Sequence, residues 1–163
     1  MVENINVGKL RHSEVPSYRR NIGVVFQDFR LLPKLTVFEN IAFALEVIGM
    51  SKSAIRKRVR EVLELVSLSE KAQAFPHELS GGQQQRATIG RAIANHPKVL
   101  IADEPTGKLD PQMSAEIMEL LEKINQVEKT TILMVTHDAN IVDTYKKRTI
   151  SLEEGYIVAD IMK

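Results

Sequence analysis

The sequence predicts an α/β fold, with strands of one open sheet separated by helices. Three observations support it. Apolar runs of strand length occur at residues 22–26, 99–102 and 130–135, amphipathic helical patterns lie between them, and each run ends at polar residues capable of chemistry. In open α/β sheets, ligands bind outside the carboxyl ends of the strands. We therefore expect the functional site where these strands end.

Composition limits the class of protein. The 163 residues suffice for one domain, and 44% hydrophobic with 26% charged residues is ordinary for a globular protein. The formal net charge of +1 produces no global field that would attract nucleic acid, so we expect no direct nucleic-acid partner. The absence of cysteine excludes disulfides and thiolate metal sites. No apolar run approaches the roughly 20 residues of a spanning helix, so membrane association would need a partner protein.

The segment Leu-Ser-Gly-Gly-Gln-Gln-Gln-Arg, residues 79–86, precedes and begins a predicted helix at about residues 83–95. Two glycines before a helix leave backbone N–H groups free at its N-terminus, where anions bind favourably. The pattern predicts an anion site formed by Ser80, Gly81, Gly82 and Gln83. A lone Ser-Gly-Gly would be weak evidence for it.

Three strand ends carry further candidates. Asp103 and Glu104 follow the second strand, and adjacent carboxylates there can serve a metal ion and a water if a nucleotide phosphate lies nearby. Gln27 ends the first strand, where its amide can contact a metal or a metal-bound water. His137 ends the third and can contact a γ-phosphate or order the attacking water. Each residue alone could be structural, but their combination favours nucleotide chemistry.

In this order the motifs resemble those of the nucleotide-binding subunits of ABC-type ATPases. Residues 79–83 match the signature motif, residues 99–104 match the Walker B strand with its following glutamate, and residues 107–110 match the D-loop. Lys108 departs from the family, which usually has a small or amide residue there. The resemblance implies one nucleotide-binding domain over residues 1–163. It would have a truncated P-loop NTPase core (1–28 and 96–163) and an inserted helical subdomain (29–95).

The same resemblance implies ATP and Mg²⁺ as ligands and assigns the site residues. It makes Glu104 and His137 catalytic, and Asp103 and Gln27 metal-binding. The residues it implies for ATP binding are Gln27, Ser80, Gly81, Gly82, Gln83, Asp103 and Asp110.

Residues 19–33 and 40–49 are similar to the cell-division branch of the family. This similarity implies an integral membrane partner of the FtsX type and a peripheral location on the cytoplasmic face of the plasma membrane. It also implies a homodimer, or a dimer with a full-length subunit. The loop at residues 27–39, with Phe29, Leu31, Leu32 and Leu35, would either contact that partner or pack against the domain's own helices.

Other functions remain open at this point. One is the ATPase of a lipoprotein-release or macrolide-export transporter, and another is a non-catalytic fragment of such a subunit. The signature motif also occurs in the ATPase heads of chromosome-maintenance and DNA-repair proteins. Those heads continue into long heptad coiled coils, and this sequence has no sustained heptad pattern.

One motif of the family is not found, the P-loop pattern Gly-x-x-x-x-Gly-Lys-Ser/Thr. We expect the segment that carries it to precede residue 1. The sequence leaves open whether this chain alone binds or hydrolyses ATP. Without the P-loop strand, we expect the strand at 99–102 to expose a flat edge. We expect the basic run at 56–60 to be a solvated face with pairs such as Arg60–Glu64.

Overall fold

A parallel three-stranded sheet is the centre of the computed structural model, which describes residues 5–162. Its strands are β1 (Ile22–Val25), β2 (Val99–Asp103) and β3 (Thr131–Val135), in the order β1-β2-β3. The register places Val25, Ala102 and Met134 in one row across the sheet. All three strands therefore end at the same edge, as the sequence predicts.

Helices connect the strands of this sheet. After α1 (Val15–Arg19), the insertion between β1 and β2 contains α2 (Val37–Glu46), α3 (Lys52–Leu65) and α4 (Gly81–Ile93). α5 (Pro111–Glu128) follows β2, and α6 (Ala139–Tyr145) follows β3. The described chain ends in an antiparallel hairpin of β4 (Thr149–Glu153) and β5 (Tyr156–Ile161). The helical insertion, which has no strand among residues 29–95, agrees with the sequence.

The main helices begin at polar residues that cap their first turns. Thr36, Ser51, Ser80 and Asp110 each accept a hydrogen bond from a backbone N–H of the first turn. Thr36 and Glu39 form a reciprocal capping box, since the Glu39 carboxylate also accepts from the Thr36 N–H at 2.8 Å. These side chains satisfy N–H groups that have no partner within the helix.

Only one face of the sheet is closely covered. Val25, Leu100 and Ala102 are fully buried on that face, and Gly23 lies so near the Ala92 carbonyl of α4 that a Cβ would collide with it. On the opposite face Val24, Leu133 and Val135 remain 37%, 54% and 52% exposed. We call these three residues the open face. Parallel sheets are ordinarily covered on both sides, so the open face is unusual.

The prediction that residues 99–102 expose a sheet edge is wrong. β2 is the central strand and hydrogen-bonds to β1 on one side and to β3 on the other. β3 occupies the place beside β2 that the prediction gave to the P-loop strand. Among residues 5–162, the two edge strands of this sheet are β1 and β3, and each has one outer edge without a partner.

The predicted solvated face at residues 56–60 is wrong at Arg58, although Arg56, Lys57 and Arg60 are exposed. The Arg58 side chain is 8% exposed and donates through Nε and Nη2 to the Ala94 and Ile93 carbonyls, at 2.9 and 3.0 Å. Its Nη1 donates to Glu128 at 3.0 Å. No Arg60–Glu64 ion pair is found within the described part of the chain. Arg58 thus caps the C-terminal end of α4 and joins the helical insertion to α5.

Replacing Arg58 should destabilise the fold strongly. Arg58→Ala leaves the nearly buried Glu128 carboxylate with only His96 and removes the donor to the Ile93 and Ala94 carbonyls, a change that costs roughly 3 kcal/mol of unfolding free energy. Arg60→Ala on the same helix removes an exposed cation and should change it by less than about 0.5 kcal/mol. Urea unfolding followed by circular dichroism measures both. Equal losses in the two variants would contradict the role given to Arg58.

The exposed β3 strand should promote self-association of the chain. A lysine at an exposed strand position opposes edge-to-edge pairing, so Leu133→Lys should lower the associated fraction seen by sedimentation velocity. Val127→Lys on α5 is the control, because Val127 is similarly exposed, at 62%, but belongs to a helix and not to a strand. Equal sedimentation of wild type and both variants would contradict this prediction.

Candidate functional site

The residues predicted from the strand ends come together at the carboxyl edge of the sheet. Glu104 directly follows β2, and its N–H donates to the carbonyl of Val135, the last residue of β3, at 3.0 Å. Gln27 reaches the loop after β2, where a Cβ on Gly107 would lie 2.7 Å from the Gln27 amide nitrogen. Gly107 therefore leaves the space that this amide occupies. The Gln27 side chain is half-buried there.

The carboxylate of Glu104 is held by the loop that follows β3. Its Oε1 accepts from the backbone N–H of His137 at 3.1 Å and lies 2.6 Å from the imidazole Nδ1. The Thr136 hydroxyl lies 3.5 Å from Oε2. The Glu104 backbone has φ +46°, a left-handed conformation that the surrounding contacts must stabilise. Thr136 was not identified from the sequence, although its position just before His137 was a signal.

Glu104 raises the pKa of His137. The causes are first the hydrogen bond to the Glu104 carboxylate and then its negative charge. Slight desolvation opposes the rise, and the charge of Asp138 adds a smaller increase. Both carboxylates favour the imidazolium form. A protonated His137 can therefore donate to Glu104 through Nδ1, while Nε2 remains available for another acceptor such as a phosphate oxygen.

Asp103 lies exposed at the end of β2 and makes no side-chain hydrogen bond or ion pair with any residue in the range 5–162. The same range holds no group of three or more His, Cys, Asp or Glu side chains able to bind a metal. Mg²⁺ characteristically uses one or two carboxylates together with water and substrate phosphates. Asp103 therefore fits Mg²⁺ as one ligand of an ion shared with a nucleotide, and Gln27 is the nearby amide.

The signature segment is capped by its own side chains. The Ser80 hydroxyl accepts from the Gln83 N–H at 3.3 Å, and the Gln83 side chain accepts from the Ser80 N–H at 3.0 Å. Cβ atoms built on Gly81 and Gly82 would contact Leu109 and Met113, the latter on α5. Among the described residues no hydrogen bond joins this segment to Glu104 or His137. Asp110 caps α5 by accepting from Met113 N–H, and it too is exposed.

Lys108, the departure from the family pattern, forms an ion pair with Asp28. The pair joins the loop after β1 to the loop after β2, and the hydrogen bond from Lys108 lowers the pKa of Asp28. Both side chains are largely exposed, at 50% and 65%, so the pair contributes little to stability. Its effect is to hold the Gln27 and Gly107 loops beside each other.

The loop at residues 27–39 is fastened to the helices of the insertion. Buried Asn40 accepts from the Leu32 N–H at 2.8 Å and donates to the Leu32 and Leu35 carbonyls at 3.1 and 2.9 Å. The Thr88 hydroxyl of α4 donates to the Phe29 carbonyl at 2.9 Å. The four apolar loop residues are half-buried, which agrees with packing against the domain's own helices. On α2, Phe43 and Val47 stay 45% and 65% exposed.

The motifs and this geometry together define an ABC-type nucleotide-binding domain, and comparison with known proteins agrees. The model of the ABC transporter family matches residues 3–107, so the chain belongs to that family. No helix of the described residues is long and apolar enough to cross a membrane.

The chain is similar to curated proteins named Cell division ATP-binding protein FtsE. It is 58% identical to the one from Bacillus subtilis over 160 residues, which cover 98% of this chain and 70% of the relative. It is 56% identical to the one from Mycobacterium tuberculosis over 159 residues, covering 98% and 69%.

Solved structures support the α/β ABC ATPase fold. A dimeric bacterial ABC transporter cassette matches with a TM-score of 0.84 and 40% identity, covering 99% of this chain and 71% of the other. A dimeric ATP-binding cassette in a post-hydrolysis state, bound to ADP and phosphate, matches with a TM-score of 0.83 and 40% identity over the same shares.

The contact between Glu104 and His137 can be measured by histidine-observed NMR titration. We expect His137 to titrate above the ordinary value of about 6.5, because the carboxylate stabilises the imidazolium. Glu104→Gln removes that charge and should lower the pKa of His137. Glu116→Gln, an exposed change on α5, should leave it unaltered. An identical His137 titration in wild type and Glu104→Gln would show that the contact does not form in solution.

Proposed function

We propose that this chain forms the greater part of an ATP-hydrolysing subunit of a bacterial cell-division complex. The observation that carries the proposal is the Glu104 carboxylate held by His137 at the carboxyl edge of the sheet, beside the unpaired Asp103. The 56–58% identity to proteins named FtsE supports the cell-division assignment over lipoprotein release or macrolide export.

The residues would divide the chemistry among them. Mg²⁺, when bound, neutralises phosphate charge, and Asp103 would hold it through a water. Glu104 would orient the attacking water and accept its proton as the water oxygen bonds to the γ-phosphorus and the bond to the leaving ADP oxygen breaks. His137 would contact the γ-phosphate, and Gln27 would respond to the metal and the water.

The phosphate donors of the P-loop would come from a further segment of the polypeptide. The chain matches 70% of the length of its B. subtilis relative, so that protein has room for such a segment. The open face and the outer edge of β3 would receive it, since both need covering. The nucleotide-binding domain would then comprise core pieces 1–28 and 96–163, the helical subdomain 29–95, and this segment.

Two subunits would share each nucleotide. Among the described residues, Ser80, Gln83 and Asp110 make no side-chain hydrogen bond to Glu104 or His137, so they suit contact with the ATP held by a second subunit. The matching solved cassettes are dimers, which supports this arrangement. The second subunit of this dimer would be another copy of the chain or a full-length subunit.

The membrane partner would be an integral membrane protein of the FtsX type, which would hold the subunit at the cytoplasmic face of the plasma membrane. Its contact would lie at the 27–39 loop and the exposed Phe43 and Val47 of α2. Because Asn40, Thr88 and α4 fasten this loop and Gln27 begins it, movement at the partner surface would reach the nucleotide site.

The hydrolysis proposal is tested by fusing the N-terminal segment of the B. subtilis relative before this chain. The fusion should hydrolyse ATP in the presence of Mg²⁺. Glu104→Gln should retain ATP binding but slow turnover roughly 10²-fold or more, because it removes a positioned acid–base group. Steady-state phosphate release and equilibrium ATP binding measure the two effects.

Glu119→Gln, an exposed carboxylate of α5, is the matched control and should leave turnover unchanged. Unchanged turnover in Glu104→Gln would remove Glu104 from the mechanism. A folded fusion that binds ATP but never hydrolyses it would favour the non-catalytic alternative.

A further inference from the structure

Gln85 is a polar side chain fully buried in the middle of α4. It is 0% exposed, and its Nε2 donates to the carbonyl of Pro105 at 2.6 Å. The opposite amide orientation would place two oxygens at that distance, so the donor must face Pro105. Its Oε1 is buried and has no hydrogen-bond partner within the described residues. An unpaired buried acceptor is costly, so packing alone does not account for an amide at this position.

The acceptor of this hydrogen bond belongs to the turn that carries Glu104. Pro105 is the next residue, and the left-handed Glu104 backbone donates to Val135 at 3.0 Å and accepts from Gly107 at 3.1 Å. These two hydrogen bonds secure the turn to β3 and to itself. Gln85 secures it to α4. A left-handed non-glycine residue persists only where the surrounding structure determines it, and Gln85 is part of that surrounding structure.

We propose that Gln85 is a positioning residue that, through Pro105, keeps the Glu104 carboxylate against His137 and joins it to the helix that begins with the signature segment. The catalytic meaning of this role rests on the function proposed above for Glu104. Gln85 lies four residues after Gly81, about 6 Å along the same rigid helix. In the proposed dimer, the start of α4 would contact the nucleotide of the second subunit. Gln85 would then connect the signature end of α4, which contacts the nucleotide of the second subunit, to Glu104, which acts on the nucleotide of its own subunit.

The test is histidine-observed NMR titration of the 163-residue chain carrying Gln85→Met. Methionine is unbranched and of similar length but donates no hydrogen bond. His137 reports on the carboxylate because the charged groups that face it are Glu104 and Asp138. We expect the pKa of His137 in Gln85→Met to fall at least halfway from the wild-type value to the Glu104→Gln value. A purely structural role would change the unfolding midpoint but not this titration.

Gln84→Met is the matched control, since Gln84 is the adjacent residue and donates instead to the Leu79 carbonyl at 3.2 Å. It should leave the His137 titration unchanged. Gln85→Leu replaces Gln85→Met if the latter does not fold, as judged by circular dichroism. A wild-type titration of His137 in a folded Gln85 variant, or an equal fall in Gln84→Met, would overturn the proposal.

This measurement needs no nucleotide, so it separates the two proposals. If the pKa of His137 does not change in Gln85→Met, the positioning role fails while hydrolysis by the fusion is unaffected. If the fusion proves inactive but Gln85→Met lowers the pKa of His137, the positioning of Glu104 stands and only its catalytic role fails.

Discussion

The parallel register of β1, β2 and β3 is the constraint on which the site depends. Because the strands run in the same direction and align residue by residue, their carboxyl ends meet at one edge. Residues separated by more than a hundred positions, such as Gln27 and His137, thereby approach the same loop region. Gly23 and Gly107 permit this closeness, the first by letting α4 pack on β1 and the second by leaving space for the Gln27 amide.

The turn at Glu104 directs its carboxylate toward His137 at this edge. A strand that simply continued would direct its side chains alternately to the two faces of the sheet. The left-handed backbone at Glu104 ends β2, and its carboxylate meets the N–H and imidazole of His137. Asp103, one residue earlier, stays exposed and without a protein partner. Two adjacent carboxylates therefore have different environments, which is the condition for giving them different roles.

Local sequence signals predicted the strand ends and the helical insertion, because strand and helix patterns depend on neighbouring residues. They did not predict Arg58 with Glu128, or Gln85 with Pro105, since those contacts join positions 70 and 20 residues apart. Gln85 had a weak signal, because it lies one helical turn before the buried Ile89. Strand order was mispredicted for the same reason: nothing local to residues 99–102 indicates which strand lies beside them.

The corrected strand order changes what the open face means. Val24, Ile101 and Leu133 form one row across the sheet, and its outer members are exposed where parallel sheets are normally covered. A further segment packed there, as proposed, would bury apolar area as well as bring phosphate donors to the edge beside Glu104. Anything that binds only the native state stabilises it. Completion of the fold and formation of the nucleotide site would therefore be linked. The outer edge of β3 would pair with the segment, and His137 lies just after the same strand.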